Sequence, residues 1–135
     1  MSKASAFKGT YGTMYYVRNM KKSVAFYRDV IGLKPDFEDD GWTQFSVGGA
    51  ALCLHAAGDT AIVPAAPKSA SNGIVILEVE DIRGMVGALK EKRVEFTGDL
   101  NDTGCGWCTE FKDLDGNLIS LYQRKPANPD QPAHK

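Results

Sequence analysis

One supersecondary pattern occurs twice in this chain. Tyr16-Val17-Arg18-Asn19-Met20 is answered 62 residues later by Glu78-Val79-Glu80-Asp81-Ile82, and Gly41-Trp42-Thr43-Gln44-Phe45 by Gly106-Trp107-Cys108-Thr109-Glu110-Phe111. At 135 residues the chain is expected to form one domain, built here from two half-size modules. Two copies of one unit are expected to pair around a cleft, so the residues lining that cleft decide the function.

The first copy opens with Tyr11 to Val17, a short, aromatic and β-branched run suited to a strand, and the pattern changes at Asn19, a good helix N-cap. Met20, Val24, Tyr27 and Ile31 then recur at intervals of four, three and four, the apolar stripe of an amphipathic helix that Gly32 is placed to end. Phe37, Gly41 to Val47 and Ala50 to His55 read as antiparallel strands, with Gly48-Gly49 as a tight hairpin turn. The second copy repeats this grammar. Ile74 to Val79 is a strand, Asp81 an N-cap, and Ile82, Val86 and Leu89 a helical stripe. Phe96, Trp107 to Lys112 and Leu118 to Tyr122 supply its later strands, with Asp113-Leu114-Asp115-Gly116-Asn117 as a turn.

The expected organisation is a single domain over 8–124, with module one at 10–56, a Pro-, Gly- and Ser-rich linker at 57–72, module two at 73–124 and a disordered tail at 125–135. The fold class is α+β: two β-α-β-β-β modules forming an open, curled mixed sheet that contains a cleft, with the helices outside.

A formal net charge of -1 and the lack of a long Lys/Arg run argue against nucleic acid as a partner. No apolar stretch reaches the roughly 18 residues needed to span a bilayer, so no membrane association is expected and the expected location is cytoplasmic. Three cysteines, an odd number, suit a reducing compartment better than a disulfide framework.

Tyr16 through Leu33, together with Phe111-Lys112-Asp113-Leu114-Asp115-Gly116-Asn117-Leu118-Ile119-Ser120-Leu121, resembles the vicinal oxygen chelate superfamily of glyoxalases, bleomycin resistance proteins, fosfomycin resistance proteins and extradiol dioxygenases. The resemblance spans about residues 10–124. It implies the paired modules, commonly homodimers, and in the enzymes a divalent metal held by His or Gln from the first strand of each module and often Glu from the last. Carried onto this chain, the four ligand positions are Gly12, Cys53, Ile74 and Ser120. Glycine offers no side-chain donor and isoleucine only hydrocarbon, so no metal and no other cofactor is expected. Glyoxalase and dioxygenase chemistry relies on that metal.

Strand alternation assigns the cleft face once those positions are placed on it. The cleft set is Gly12, Met14, Tyr16, Trp42, Gln44, Ala51, Cys53, His55, Ile74, Ile76, Glu78, Cys108, Glu110, Ser120 and Tyr122. The opposite set, Tyr15, Val17, Phe45, Leu52, Leu54, Val75, Leu77, Val79, Phe111, Ile119 and Leu121, is almost wholly apolar, as a helix-covered face should be. Candidate ligand-binding residues are Tyr16, Trp42, Gln44, Cys53, His55, Glu78, Cys108, Glu110, Ser120 and Tyr122. Their aromatic walls and sparse polar groups suit a small-molecule pocket.

The leading expectation is a metal-independent protein that binds a partly aromatic or hydrophobic small molecule. The alternative is a glyoxalase-like lyase or isomerase, or a dioxygenase-type enzyme, using His55, Glu78 or Glu110 as acid and base or a relocated metal site. Cys105-Gly106-Trp107-Cys108 matches a redox spacing but enters a strand rather than opening a helix. Cys53, His55 and Cys108 form a conceivable soft-metal set. Asp113 to Asn117 is read as a hairpin turn, because Arg124 stands where a calcium loop needs its bidentate Glu.

Overall fold

The structure is a computed structural model, and it describes residues 11–59 and 73–126. The first copy of the repeat folds as β1 (Gly12–Val17), α1 (Met20–Ala25) continuing into a π-helical segment (Phe26–Ile31), β2 (Pro35–Glu38), β3 (Trp42–Val47) and β4 (Ala50–Ala56). The second gives β5 (Val75–Glu78), α2 (Ile82–Glu91), β6 (Asn101–Asp102), β7 (Gly106–Lys112) and β8 (Leu118–Arg124). The chain divides into two compact units, Met1–Ile62 and Val63–Lys135. Each described unit is one four-stranded mixed sheet, in the orders β1-β4-β3-β2 and β5-β8-β7-β6. In both, the first strand runs parallel to the last and the remaining pairs are antiparallel. The repeated sequence is thus a repeated α+β topology.

Local chemistry accounts for the helix boundaries. Asn19 Oδ1 accepts the Lys22 N–H at 3.0 Å and Asp81 Oδ1 accepts that of Gly84 at 3.0 Å, the same cap in both copies. Gly32, at φ 95°, ends the first helix in the left-handed region that glycine adopts without strain. The Tyr27 carbonyl accepts from both Gly32 N (3.1 Å) and Leu33 N (2.9 Å). The π-helical closure was not legible, because side-chain periodicity reports which face is apolar and not the ring size of the backbone bonds. Gly48 and Gly49 (φ 55° and 92°) make the tight turn between Val47 and Ala50, which are register partners.

In the first unit, Val17, Val24, Tyr27, Phe45, Leu52 and Leu54 are buried, and α1 packs on β3 and β4. Tyr27 stacks on Phe45 with ring centroids 5.8 Å apart. In the second, Leu77, Ile82, Leu89, Phe111, Ile119 and Leu121 are buried, and α2 packs on β8. Each fully buried Leu, Ile or Phe contributes about 1.5–3 kcal/mol of hydrophobic stabilisation.

The sheet edge of the second module departs from the sequence reading. Phe96 makes one isolated bridge to Phe111, and the edge strand is the two-residue Asn101–Asp102. Neither residue favours strands; the pairing comes from a polar hairpin. Gly104 N donates to Asp102 Oδ1 at 2.8 Å, and Thr103 N to the Gly106 carbonyl at 2.9 Å. The Asp113 to Asn117 turn is held as expected, with Asp113 Oδ1 accepting from Asp115 N (2.9 Å) and Asn117 N (2.8 Å). The linker and tail boundaries shift slightly. Ala57 is buried and its N–H donates to the Val17 carbonyl at 2.9 Å, while Lys125 N donates to the Cys105 carbonyl at 2.9 Å. Residues 60–72 and 127–135, where the linker and tail were expected, lie otherwise outside the described residues.

Candidate functional site

Strand register assembles the first sheet's candidate residues into rows. Tyr16 pairs with His55 across β1 and β4, and His55 with Trp42 across β4 and β3. The next row along is Met14, Cys53 and Gln44, and the one after it Gly12, Ala51 and Ser46. These residues alternate with Val17, Leu52, Leu54, Thr43 and Phe45, all buried on the other face. The two faces expected from alternation are therefore present in this sheet.

The first row is an aromatic strip. Tyr16 and His55 ring centroids are 5.2 Å apart at a tilt of 56°, and Trp42 meets His55 edge to face at 5.8 Å and 82°. Tyr16 and His55 are exposed and Trp42 is half-buried, which leaves ring surface for a ligand. His55 Nδ1 lies 2.7 Å from the Ala56 carbonyl oxygen. Gln44 Oε1 accepts from Trp42 Nε1 at 3.3 Å and from the Tyr11 hydroxyl at 3.1 Å. Tyr11 was not among the predicted site residues. The sequence reading counted it in the first strand, where alternation puts it with Tyr15 and Val17 on the opposite face, but β1 begins at Gly12 and Tyr11 reaches Gln44 from outside the regular strand.

Cys53 sits in the row beneath and is 2% exposed. Burial pushes its thiol above the ordinary value, which keeps it protonated at neutral pH and a poor nucleophile or metal ligand. It belongs to the floor of the site rather than to its reactive groups.

On the second sheet the rows are Glu78, Tyr122 and Cys108, then Ile76, Ser120 and Glu110. Glu78 is gripped by Arg124, with Nε to Oε2 at 2.7 Å and Nη2 to Oε1 at 3.2 Å. The fork occupies both carboxylate oxygens, the atoms an acid–base role for Glu78 would use. Arg124 lies two residues beyond Tyr122 on the same face, and carrying the alternation one step further would have found it. Cys108 Sγ lies 3.9 Å from Asn101 Nδ2, and Ser120 is buried. A Cβ at Gly106 would run into the backbone carbonyl oxygen of Gln123 and come within 2.8 Å of the Tyr122 phenol group, so the strand backbone itself requires glycine there. Ile74 precedes β5, and Ile76 is exposed.

The metal implied by the resemblance does not fit the four positions. Gly12 has no donor, and a Cβ there would fall 2.2 Å from the Ala51 carbonyl oxygen. Cys53 is a buried neutral thiol, Ile74 is hydrocarbon and Ser120 is a buried hydroxyl. Among the described residues no group of three or more His, Cys, Asp or Glu side chains is placed to hold a metal ion, the Cys53, His55 and Cys108 set included.

Two β-α-β-β-β units, each burying one sheet face and presenting a mixed aromatic and polar one, define a duplicated-module α+β protein. The chain belongs to the Glyoxalase/Bleomycin resistance protein/Dioxygenase superfamily, whose family model matches residues 12–121. It is 29% identical over 116 residues to the uncharacterized protein YetH of Bacillus subtilis (strain 168), an alignment covering 80% of this chain and 92% of YetH. Two solved structures show the same fold. The genomically encoded fosfomycin resistance protein FosX from Listeria monocytogenes has a TM-score of 0.71 at 15% identity, covering 88% of this chain and 95% of FosX. TnmS3, an antibiotic binding protein from Streptomyces sp. CB03234, has a TM-score of 0.66 at 22% identity, covering 88% of this chain and 99% of TnmS3.

Proposed function

We propose that the protein binds a small, partly aromatic molecule on the Tyr16, His55 and Trp42 strip, and that it does so without the divalent metal of its superfamily. The observation carrying this reading is the strip itself: three rings from three adjacent strands, contiguous and accessible, on the face opposite the hydrophobic core. Sequestration needs shape and ring surface rather than a Lewis acid, and the residues at Gly12, Cys53, Ile74 and Ser120 suit that requirement. Family membership beside an antibiotic binding protein of the same fold supports it. On the second sheet the corresponding strand face carries Glu78, Cys108, Glu110, Ser120 and Tyr122. The working form is a homodimer, as is common in the family, and three free thiols suit the cytoplasm.

The test is a thermal-shift and calorimetric screen of planar aromatic compounds against the wild-type chain and Trp42→Ala, with and without a chelator. Chelator-insensitive stabilisation that disappears in Trp42→Ala supports the reading. Binding that requires added divalent metal overturns it.

A second reading is favoured by one contact. The bond between His55 Nδ1 and the Ala56 carbonyl orients the ring and leaves Nε2 as a base, so a proton-transfer enzyme is the alternative. Turnover of a bound compound that is lost in His55→Ala with binding retained would establish it.

A further inference from the structure

The hydrogen bonds that two side chains of the aromatic strip already make determine what each has left to offer. A carbonyl oxygen only accepts, so His55 Nδ1, 2.7 Å from the Ala56 oxygen, carries the proton. In the neutral ring the other nitrogen, Nε2, is then an acceptor, and it has no partner among the described residues. Gln44 is fixed by the same logic. An indole N–H only donates, so the atom 3.3 Å from Trp42 Nε1 is the amide oxygen, and the Tyr11 hydroxyl at 3.1 Å fills its second lone pair. The Gln44 amide is locked in one of its two orientations. Its NH2 group, without a partner among the described residues, is the half presented to a ligand.

Placement relates the two groups. Trp42 is the register partner of His55, and Gln44 is the next residue on the same face of β3, so His55 and Gln44 are diagonal neighbours. Diagonal neighbours lie about 7–8 Å apart, with their β-carbons somewhat closer, so the two side chains can reach opposite ends of one aromatic ring. The row positions of β1, β3 and β4 on this face contain no Lys, Arg, Asp or Glu, and the Asp36 carboxylate of β2 accepts from the Ser46 hydroxyl two rows away from Trp42 and His55, so the rows of His55 and Gln44 hold no fixed charge to select an ionised ligand.

We infer that the site selects a neutral hydroxyaryl carbonyl compound, its hydroxyl donating to His55 Nε2, its carbonyl accepting from the Gln44 amide, and its ring against Trp42 and Tyr16. This rests on the reading that the aromatic strip binds a ligand, and it adds the polar pattern that ligand must carry.

Calorimetry of the full chain with four probes separates the two levels. The probes are 4-hydroxyacetophenone, 4-methoxyacetophenone without the donor, 4-ethylphenol without the carbonyl, and 4-ethylanisole without either. Each deletion is expected to weaken binding about tenfold, the yield of one modest hydrogen bond. Gln44→Leu should abolish the preference for 4-hydroxyacetophenone over 4-ethylphenol and keep the preference for hydroxyl over methoxy. His55→Phe should do the reverse. Affinities within about threefold of one another across all four probes overturn the polar pattern while leaving aromatic binding intact. Failure of all four to bind overturns both. The probe series on the wild-type chain carries the test even if one variant folds poorly.

Discussion

Trp42 stands directly across from His55 on adjacent antiparallel strands, and the two rings meet edge to face with centroids 5.8 Å apart. His55 in turn faces Tyr16 on β1, so one imidazole joins rings from both neighbouring strands. Edge-to-face pairs of this kind contribute about 0.5–1.5 kcal/mol beyond the area they bury. The strip is therefore arranged before any ligand arrives, which lowers the ordering cost of binding.

Trp42→Ala should weaken binding of planar aromatic ligands about tenfold or more, the effect of losing one stacking partner. Phe45→Ala, on the same strand but the other face and with no exposed surface, should instead destabilise the fold by about 3–5 kcal/mol. Calorimetry and denaturant unfolding of the two variants would separate them. Equal effects on binding and stability in both would mean that the two faces of β3 are not functionally distinct.

The thiols should react in order of exposure. Cys105 is exposed, Cys108 half-buried and Cys53 buried, with its thiol pushed up by desolvation. Iodoacetamide should modify Cys105 first, and Cys53 about a hundredfold or more slowly, since it reacts through opening of the sheet. Because the folded chain holds the Cys53 proton more tightly than the unfolded one, stability should fall as pH rises above the ordinary thiol value of 9.0. Cys53→Ala should remove that slope. Peptide mapping in which Cys53 is labelled as fast as Cys105 would sink the assignment.

The sequence was legible wherever one physical signal dominated. Asn19 and Asp81 could be read as caps because their short side chains reach the open N–H groups of the next turn, and both do. Phe45 and Trp42 could be assigned to opposite faces because a strand's period is two. The site's polar detail was not legible. Nothing local to Glu78 shows that Arg124, 46 residues later, takes both its carboxylate oxygens. Nor does the sequence show which Gln44 atom faces Trp42, or that a side chain at Gly106 would run into the Gln123 carbonyl oxygen. These depend on cross-strand register, which sequence periodicity fixes only modulo two. The edge strand at Asn101–Asp102 escaped because its hydrogen bonds come from a polar turn rather than from strand propensity.

Restoring the superfamily's first metal position should fail. A Cβ at residue 12 would fall 2.2 Å from the Ala51 carbonyl oxygen, so Gly12→His must push β1 and β4 apart before its imidazole can coordinate anything. Overpacking of this kind costs about 1–3 kcal/mol. Gly12→His with Ser120→Glu should therefore melt below the wild type and still bind zinc no better. A stoichiometric, tight zinc isotherm in that variant would show that the metal site was lost by residue identity alone and not also by backbone packing.

Lys125 and Asp102 should give the second sheet's edge an acid-sensitive contribution. The ammonium bonds both carboxylate oxygens, at 2.8 and 2.9 Å, and lies 5.3 Å from the Trp107 ring centroid. The hydrogen bond from Lys125, then that from the Gly104 N–H, holds the Asp102 carboxyl below its ordinary value of 3.8. A carboxyl whose folded value is depressed adds stability that is fully present above the unfolded value and is lost as pH falls through the folded one. Asp102→Asn should therefore melt below the wild type at neutral pH, and the gap should close as pH falls below about 3.8, the carboxyl's ordinary value. The Asp102 side chain is 57% exposed and that of Lys125 31%, so the pair is solvent-screened and the gap should be small and should shrink in high salt. Paired melting curves at pH 7 and pH 3 decide the matter. A gap that persists undiminished at pH 3 would mean that Asp102 acts through its turn bond to Gly104, which an amide oxygen can also accept, and not through its charge.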